Sequence, residues 1–132
     1  MPEVAPQEPP DDPSIANETE LWRRIPPDQI VRDGHGAPRP STGAFRDSTG
    51  GHMSVLLREA GMTIERALGG REGFGIVSFS AGFARSLSQK VIRSPEPEEP
   101  LHGEVVGKKT DSVKKQLVRN SHWIHSPPHA LS

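Results

Sequence analysis

Short extended segments are the main elements that the pattern of apolar and polar residues predicts in this chain. Residues 20–25 alternate between apolar and charged side chains and run into two consecutive prolines, which cannot continue a strand ladder. Residues 75–80 are rich in β-branched and aromatic side chains, which predicts a central strand. Residues 89–93 predict another strand, and extended structure is also expected at 104–106 and 123–124.

Apolar positions at helical spacing predict helices elsewhere. The stretch 53–68 has this spacing, is interrupted at Gly61 and ends at Gly69, so it predicts two short helices. Residues 81–87 predict a helical turn.

A longer helix is predicted to begin at Thr110 or Asp111, because either side chain can cap a helix N-terminus. Val113 and Leu117 then share one apolar stripe, which faces the core. The basic residues of this helix face away from that stripe: Lys114, Lys115 and Arg119.

Together these elements predict a small α+β domain with three to five short strands and two to four helices. A chain of 132 residues without cysteine is long enough for one such core. The domain is expected to span residues 19–125, after a disordered acidic tail at 1–18 and before a flexible end at 126–132. The tail prediction rests on residues 1–16, where five prolines and four acids leave few apolar side chains to bury.

The first predicted strand places a charge among apolar neighbours. Leu21, Arg23 and Ile25 share one face of the strand, and Arg24 lies on the other. Either Arg23 or Arg24 must therefore extend its charged end to water, pair with an acid, or point into a site.

Charge alternates in four blocks along the chain, although the formal net charge is only −1. Residues 1–20 carry six acids and no base, whereas residues 21–93 carry eleven bases and six acids. Residues 94–107 carry four acids and no base, and residues 108–119 carry five bases and one acid. Such asymmetry indicates association with charged partners and does not identify a reaction.

A binding or accessory role through the last helix is the function that this pattern favours. The partner would be a protein or another anionic molecule, and the acidic tail could compete with it for the same surface. Nucleic acid is less well supported, because four Phe, two Trp and no Tyr leave few rings for base stacking. The expected interface consists of the basic residues of the last block: Lys108, Lys109, Lys114, Lys115 and Arg119.

The sequence does not match two familiar ligand-binding motifs, a P-loop and a histidine zinc site. The run 103–110 has glycines, lysine and threonine before a helix, but three residues instead of four separate its glycines and a second lysine precedes its threonine, so it does not match a P-loop. His122, His125 and His129 lie close in sequence, but prolines between the last two prevent a shared helix and no cysteine supports a zinc site. We therefore expect neither a metal nor a cofactor.

An enzymatic alternative rests on Arg24 in the first strand, Ser41 and Thr42 in the next segment, and Glu104 before the last helix. Their order resembles that of ADP-ribosyltransferases, in which a first-strand arginine, a Ser-Thr-Ser strand and a late glutamate bind nicotinamide dinucleotide and steer transfer. The resemblance implies that these four residues bind the dinucleotide. It covers three short segments only. The chain also departs from the pattern at two points, since a glycine follows Thr42 and a histidine stands two residues before Glu104.

A third interpretation is a structural subunit that oligomerises through apolar surface, because a small core is not expected to bury all of Leu56, Leu57, Phe74 and Phe83. The oligomeric state itself stays open. No apolar run approaches the length of a membrane span, and the first twenty residues lack the basic and apolar regions of a signal peptide. We therefore expect a cytoplasmic protein without a membrane partner.

Overall fold

One antiparallel sheet of six strands organises the protein, whose computed structural model describes residues 9–47 and 51–126. The order of strands across this sheet is β6-β7-β4-β1-β5-β8, and β2 and β3 form a separate hairpin. The strands are β1 (Glu20–Ile25), β2 (Ile30–Arg32), β3 (Pro38–Pro40), β4 (His52–Leu57), β5 (Gly75–Ser80), β6 (Lys90–Arg93), β7 (His102–Val106) and β8 (His122–His125). The helices are α1 (Ile64–Leu68), α2 (Ala81–Ser86) and α3 (Asp111–Asn120), with 3₁₀ turns at Pro27–Gln29 and Thr42–Phe45.

The prediction of an α+β domain with three to five strands is wrong. The described chain contains eight strands and is mostly antiparallel sheet, and its three α-helices are only five, six and ten residues long. The strand count was too low for two reasons. No strand was predicted in the segments that form the β2–β3 hairpin, and β4 lies in a segment that was expected to be a helix.

The apolar run 53–57 forms strand β4 instead of the first predicted helix. Met53, Val55 and Leu57 are buried on one face of the sheet, and Leu56 is buried on the other. A central strand that is covered on both sides carries apolar residues at consecutive positions, and such a run cannot be distinguished from a buried helix by spacing alone. The helix prediction was therefore wrong because residue spacing does not show that this segment is covered on both sides.

Other local predictions are confirmed. Strands form at 20–25, 75–80 and 90–93, and the second of the two short helices forms as α1. Thr110 caps α3, since its hydroxyl oxygen accepts a hydrogen bond from the N–H of Val113 at 3.2 Å. These elements carry strong local signals, so long-range contacts were not needed to find them.

One face of the large sheet, here called the core face, is sealed by apolar packing. Helices α2 and α3 and the turn Thr42–Phe45 lie over it. Phe45 from that turn meets Phe79 of β5 edge to face, with ring centroids 6.3 Å apart. The buried side chains that the strands contribute are Leu21, Ile25, Met53, Val55, Leu57, Val77, Phe79, Val91 and Val105.

The opposite face, here called the polar face, mixes a smaller apolar cluster with polar side chains. Helix α1 covers part of it, and Ala67 of α1 packs with Trp22, Leu56 and Ile76 of the sheet. The two-residue period of the strands places further side chains on this face, and these are polar. They are Arg24, Ser54, His102 and Glu104.

Residues 9–18 pack along the outer edge of β6. The N–H of Asp12 donates to the carbonyl of Val91, and the N–H of Val91 donates to the carboxylate of Asp11. Arg85 pairs with Asp11 at 3.1 Å, and Ile15 is buried against the core face. These contacts cover an edge that would otherwise be open to pairing with another chain. The predictions for residues 1–8 and 127–132 lie outside the described residues.

None of the helices in the described ranges is long and apolar enough to span a bilayer. The longest of them, α3, has ten residues. The cytoplasmic location stays a prediction.

Candidate functional site

The outer side of α3 presents basic and amide side chains to solvent. Its inner side is anchored by Leu117, which is fully buried in the core-face cluster. Residues at helical positions three and four apart lie on the same side of a helix, so the outer residues form one continuous strip. They border an open groove of about 420 Å³ and are Ser112, Lys115, Gln116, Arg119 and Asn120.

The predicted basic residues do not all reach this surface. Lys108, Lys115 and Arg119 are exposed, and among the described residues none of their cationic groups forms an ion pair. Lys114 is half-buried and lies 3.6 Å from the carboxylate of Asp111. Of the five predicted basic residues, two are therefore exposed on α3 and a third, Lys108, is exposed just before it.

Lys109 is a buried structural residue. Its side chain is 1% exposed, and its Nζ lies 2.7 Å from the carboxylate of Asp47. The same ammonium donates to the backbone carbonyls of Gly51, Val105 and Gly107. A lysine buried in this way ties the ends of β4 and β7 together and is not available to a partner.

The residues of the ADP-ribosyltransferase-like alternative are divided by the sheet. Arg24 and Glu104 lie on the polar face. Thr42 begins the 3₁₀ turn that packs over the core face, and Ser41 directly precedes it, with its hydroxyl donating to Gln29 at 2.5 Å. A dinucleotide on one side of the sheet cannot contact both pairs.

The polar face contains a cleft because β1 and β4 pair over only part of their length. In these two fully described strands, Leu21 opposes Leu57 and Trp22 opposes Leu56, and no further residues are paired. By contrast, β1 pairs with β5 along its whole length. The gap leaves a cleft of about 40 Å³, here called the β1–β4 cleft. It is lined by Trp22, Arg23, Arg24, Ser54, Val55, Leu56 and His102.

Arg23 closes the core-face side of this gap. Its Nε donates to the carbonyl of Ala44 at 3.0 Å, and its Nη1 donates to the carbonyl of Ser54 at 2.7 Å. Burial is the main cause that lowers the pKa of Arg23 to about 10, and the neighbouring charge of Arg24 acts in the same direction. Arg23 therefore supplies donors to a β4 carbonyl where the strand ladder is interrupted.

Arg24 is much less completely bonded on the polar face. Its Nε donates to the carbonyl of Ala67 at 2.5 Å, and this is its only hydrogen bond within the described ranges. Burial and the charge of Arg71 lower the pKa of Arg24, and Glu99 and Glu96 oppose this effect without forming an ion pair with it. The two terminal nitrogens of this half-buried guanidinium have no acceptor among the described residues and are open to solvent.

Trp22 contributes a second donor without a partner. Its side chain is largely buried, and its indole N–H has no acceptor in the part of the chain that the structure describes. The guanidinium of Arg58 lies 5.6 Å from the centre of the indole ring, on which it stacks. The ring is therefore held in place while its N–H remains unused.

Two histidines border the polar side chains of this face. His52 Nδ1 is hydrogen-bonded to the carboxylate of Glu104. His102 Nδ1 lies 2.8 Å from the carbonyl of Ser94, which can only accept, so this nitrogen carries the proton. The other ring nitrogen of His102 lies 3.6 Å from the carboxylate of Glu96. Both histidines are thus oriented by acceptors on neighbouring segments.

No group of three or more histidine, aspartate or glutamate side chains is arranged for a metal ion within residues 9–47 and 51–126. Of the three histidines considered above, His122 and His125 lie on β8, and His129 is outside the described residues.

Sequence reasoning missed the β1–β4 cleft, although part of its signal was visible. The strand pattern placed Trp22 and Arg24 on one face and showed that an arginine needed a partner or a site. Ser54 could not be added, because its segment was expected to be helical. His102 was noticed only as a departure from the ADP-ribosyltransferase pattern.

No protein-family model matches this chain, and neither a curated protein nor a solved structure was found to be similar to it. The geometry of the chain itself is therefore what supports a function.

Proposed function

We propose that this chain is a small binding protein that recognises an acidic protein segment through the outer side of α3. The observation that carries the proposal is that Lys115 and Arg119 are exposed, lie one helical turn apart and form no ion pair within the described ranges. Lys108 adds a third exposed cation just before the helix. Cations spaced in this way can each meet a carboxylate of an acidic segment, which gives electrostatic complementarity and fast association.

The amide side chains of the groove favour a polypeptide partner over a nucleic acid. Gln116 and Asn120 lie beside the cations and can both donate to and accept from a peptide backbone. Within the described ranges no aromatic ring lines the groove, so these residues offer no platform for base stacking. An acidic polypeptide therefore fits this surface better than single-stranded nucleic acid.

The interpretation as an oligomerising subunit receives less support. Leu56 and Leu57 are buried, so they are not available for an interface. Among the described residues the exposed large apolar side chains are Val31 and Ile64, which lie on the β2–β3 hairpin and on α1. Single exposed apolar residues are normal on monomeric proteins.

A charge-reversal experiment tests the proposal. The probe is a fluorescent peptide rich in glutamate, and its anisotropy is titrated with the wild-type protein at low and at physiological salt. We expect Lys115→Glu with Arg119→Glu to weaken binding at least about tenfold and to reduce the salt dependence, because two charge contacts are lost. A matched control replaces Arg58 and Arg71 by glutamate, which changes the net charge equally on the polar face.

Two outcomes would overturn the proposal. Equal weakening by the α3 pair and by the control pair would mean that the peptide responds to net charge and not to this surface. Wild-type binding to a single-stranded oligonucleotide of equal charge, without binding to the peptide, would mean that the partner is a nucleic acid.

A further inference from the structure

The β1–β4 cleft holds hydrogen-bond donors that the described protein does not use. Buried polar groups are nearly always hydrogen-bonded, and a half-buried charge usually has a counter-charge. Arg24 has neither a second hydrogen bond nor an ion pair within the described ranges, and the Trp22 indole N–H has no acceptor there. Trp22 and Arg24 both line this cleft, so an acceptor that enters it from outside the chain meets a buried unsatisfied N–H and a guanidinium whose terminal nitrogens are open to solvent.

The cleft is formed by an interruption of the central sheet, so its position is set by the backbone pairing of β1 with β4. Pairing of β1 with β4 stops after Trp22, and Arg23 fills the core-face side of the opening. Only the side toward Arg24 is left, with a volume of about 40 Å³. A single water molecule needs roughly 10–15 Å³ of such volume, so the cleft has room for one small head group.

We propose that the β1–β4 cleft binds the carboxylate of a small organic acid, with the terminal nitrogens of Arg24 as its main donors and the Trp22 indole N–H as a second donor. A planar guanidinium matches a carboxylate with two parallel hydrogen bonds. The hydroxyl of Ser54, at the β4 wall of the cleft, can donate to the same group. Trp22 and Leu56 supply apolar wall against which a short alkyl chain packs.

A singly charged carboxylate fits the electrostatics of the cleft better than a phosphate dianion. Glu104 lies next to Ser54 in the sheet, and Glu96 lies close to His102. These two acids place negative charge near the ligand position, which penalises a second negative charge on the ligand. Arg24, which lines the cleft, supplies the positive charge that compensates for one.

This inference is independent of the proposed function. The cleft opens on the polar face, whereas α3 packs on the core face. Loss of peptide binding in the α3 variants leaves the cleft unchanged, and loss of carboxylate binding leaves α3 unchanged.

The two tryptophans provide a probe and an internal control for carboxylate binding. The chain has only Trp22 and Trp123, and the indole N–H of Trp123 already donates to the carbonyl of Pro38 at 3.0 Å. The ¹H–¹⁵N spectrum of the full chain is recorded during a titration with sodium acetate at constant ionic strength. We expect the Trp22 indole signal to shift and to saturate with half-saturation on the order of 1–10 mM, as is typical of a ligand with very few atoms, while the Trp123 signal stays in place.

Four further probes define the ligand. Acetamide has the shape of acetate without its charge and should leave the Trp22 signal unchanged. Propionate should bind at least as tightly as acetate, because its extra methylene contacts apolar wall. N-acetylglycine presents a carboxylate as the end of a peptide chain does, so its binding relative to acetate separates a chain terminus from a free acid as the source. Inorganic phosphate should bind more weakly than acetate.

The matched variants are Arg24→Gln and Arg119→Gln. We expect Arg24→Gln to weaken acetate binding at least about tenfold, because the paired hydrogen bonds are lost, and Arg119→Gln to leave it unchanged. If Arg24→Gln does not fold, as a Trp123 signal at the position typical of an unfolded chain would show, Arg24→Lys keeps the charge without the planar donor pair and should weaken binding severalfold.

The proposal is overturned if the Trp22 signal does not move, if both indole signals move together, or if acetamide acts as acetate does. Unchanged affinity in a folded Arg24 variant also overturns it. Tighter binding of phosphate than of acetate overturns the choice of carboxylate.

Discussion

The two faces of the large sheet treat neighbouring arginines in opposite ways. Arg23 on the core face is half-buried and donates to two backbone carbonyls, so it acts as part of the framework. Arg24 on the polar face is half-buried and has one hydrogen bond within the described ranges. The comparison shows that adjacent residues of the same type in one strand are separated by the strand period into a structural and a candidate ligand-binding residue.

The two faces also differ in the kind of contact that holds their covering segments in place. The core face is sealed by apolar contacts from α2, α3 and the turn Thr42–Phe45. On the polar face, α1 is tied to the loop 94–101 by two hydrogen bonds between the guanidinium of Arg66 and the carboxylate of Glu99. Packing on the first face should therefore respond to changes in volume, and the covering of the second face should respond to charge and pH.

The largest effect is expected from a cavity in the core face. Phe45 is fully buried, so Phe45→Ala should lower the free energy of unfolding by about 3–5 kcal/mol through lost burial and the cavity left behind. Ile64→Ala on α1, where the side chain is 37% exposed, should cost less than about 1 kcal/mol. Urea denaturation measures both, and similar losses would contradict the difference between the two coverings.

The second-largest loss of stability is expected for Arg23, and Arg24 in the same strand is its comparison. Arg23→Gln should lower the free energy of unfolding by about 1.5–3 kcal/mol, because the carbonyl of buried Ala44 and the carbonyl of Ser54 lose charged donors. Arg24→Gln removes a single hydrogen bond and a poorly compensated charge, so its cost should stay below about 1 kcal/mol. Denaturation of both variants under the same conditions decides the matter, and a larger loss for Arg24 would mean that it belongs to the framework.

A pH effect is expected at the covering of the polar face. The hydrogen bond from Arg66 is the main cause that lowers the pKa of Glu99 below its ordinary value of 4.5. The stabilisation is therefore complete above pH 4.5 and is lost as the pH falls through the lower pKa of the folded state. Protection of the α1 amides from hydrogen exchange, corrected for the intrinsic pH dependence of the exchange rate, should decrease over this acidic range in the wild type. Glu99→Gln should raise exchange already at neutral pH and remove this part of the pH dependence, and an unchanged acid profile would contradict the role of the pair.

The smallest effect is expected on the outer side of α3. Lys115 is exposed, so Lys115→Gln should change the free energy of unfolding by no more than about 0.5 kcal/mol. Thermal denaturation checks this value. A clear loss of stability would mean that Lys115 supports the fold and would weaken its assignment to a partner surface.

Particular elements show how far local patterns reach. The caps and spacing of α3 and the extended stretches at 20–25 and 75–80 were predictable, because neighbouring residues determine them. Strand β4 was not, because consecutive apolar residues are explained only by burial on both faces of the sheet. The expected α+β domain consequently proved to be a structure dominated by antiparallel sheet.

The candidate sites divide in the same way. The sequence by itself determined that α3 has a basic outer side and that one of two adjacent arginines lies among apolar neighbours. Only the tertiary structure decided that Lys109 is buried against Asp47, that Ser41 lies across the sheet from Arg24, and that β1 separates from β4. The physical reason is that helix faces and strand periods are properties of consecutive residues. The counter-charge of a lysine and the opening between two strands depend on segments that are distant along the chain and meet only when the sheet forms.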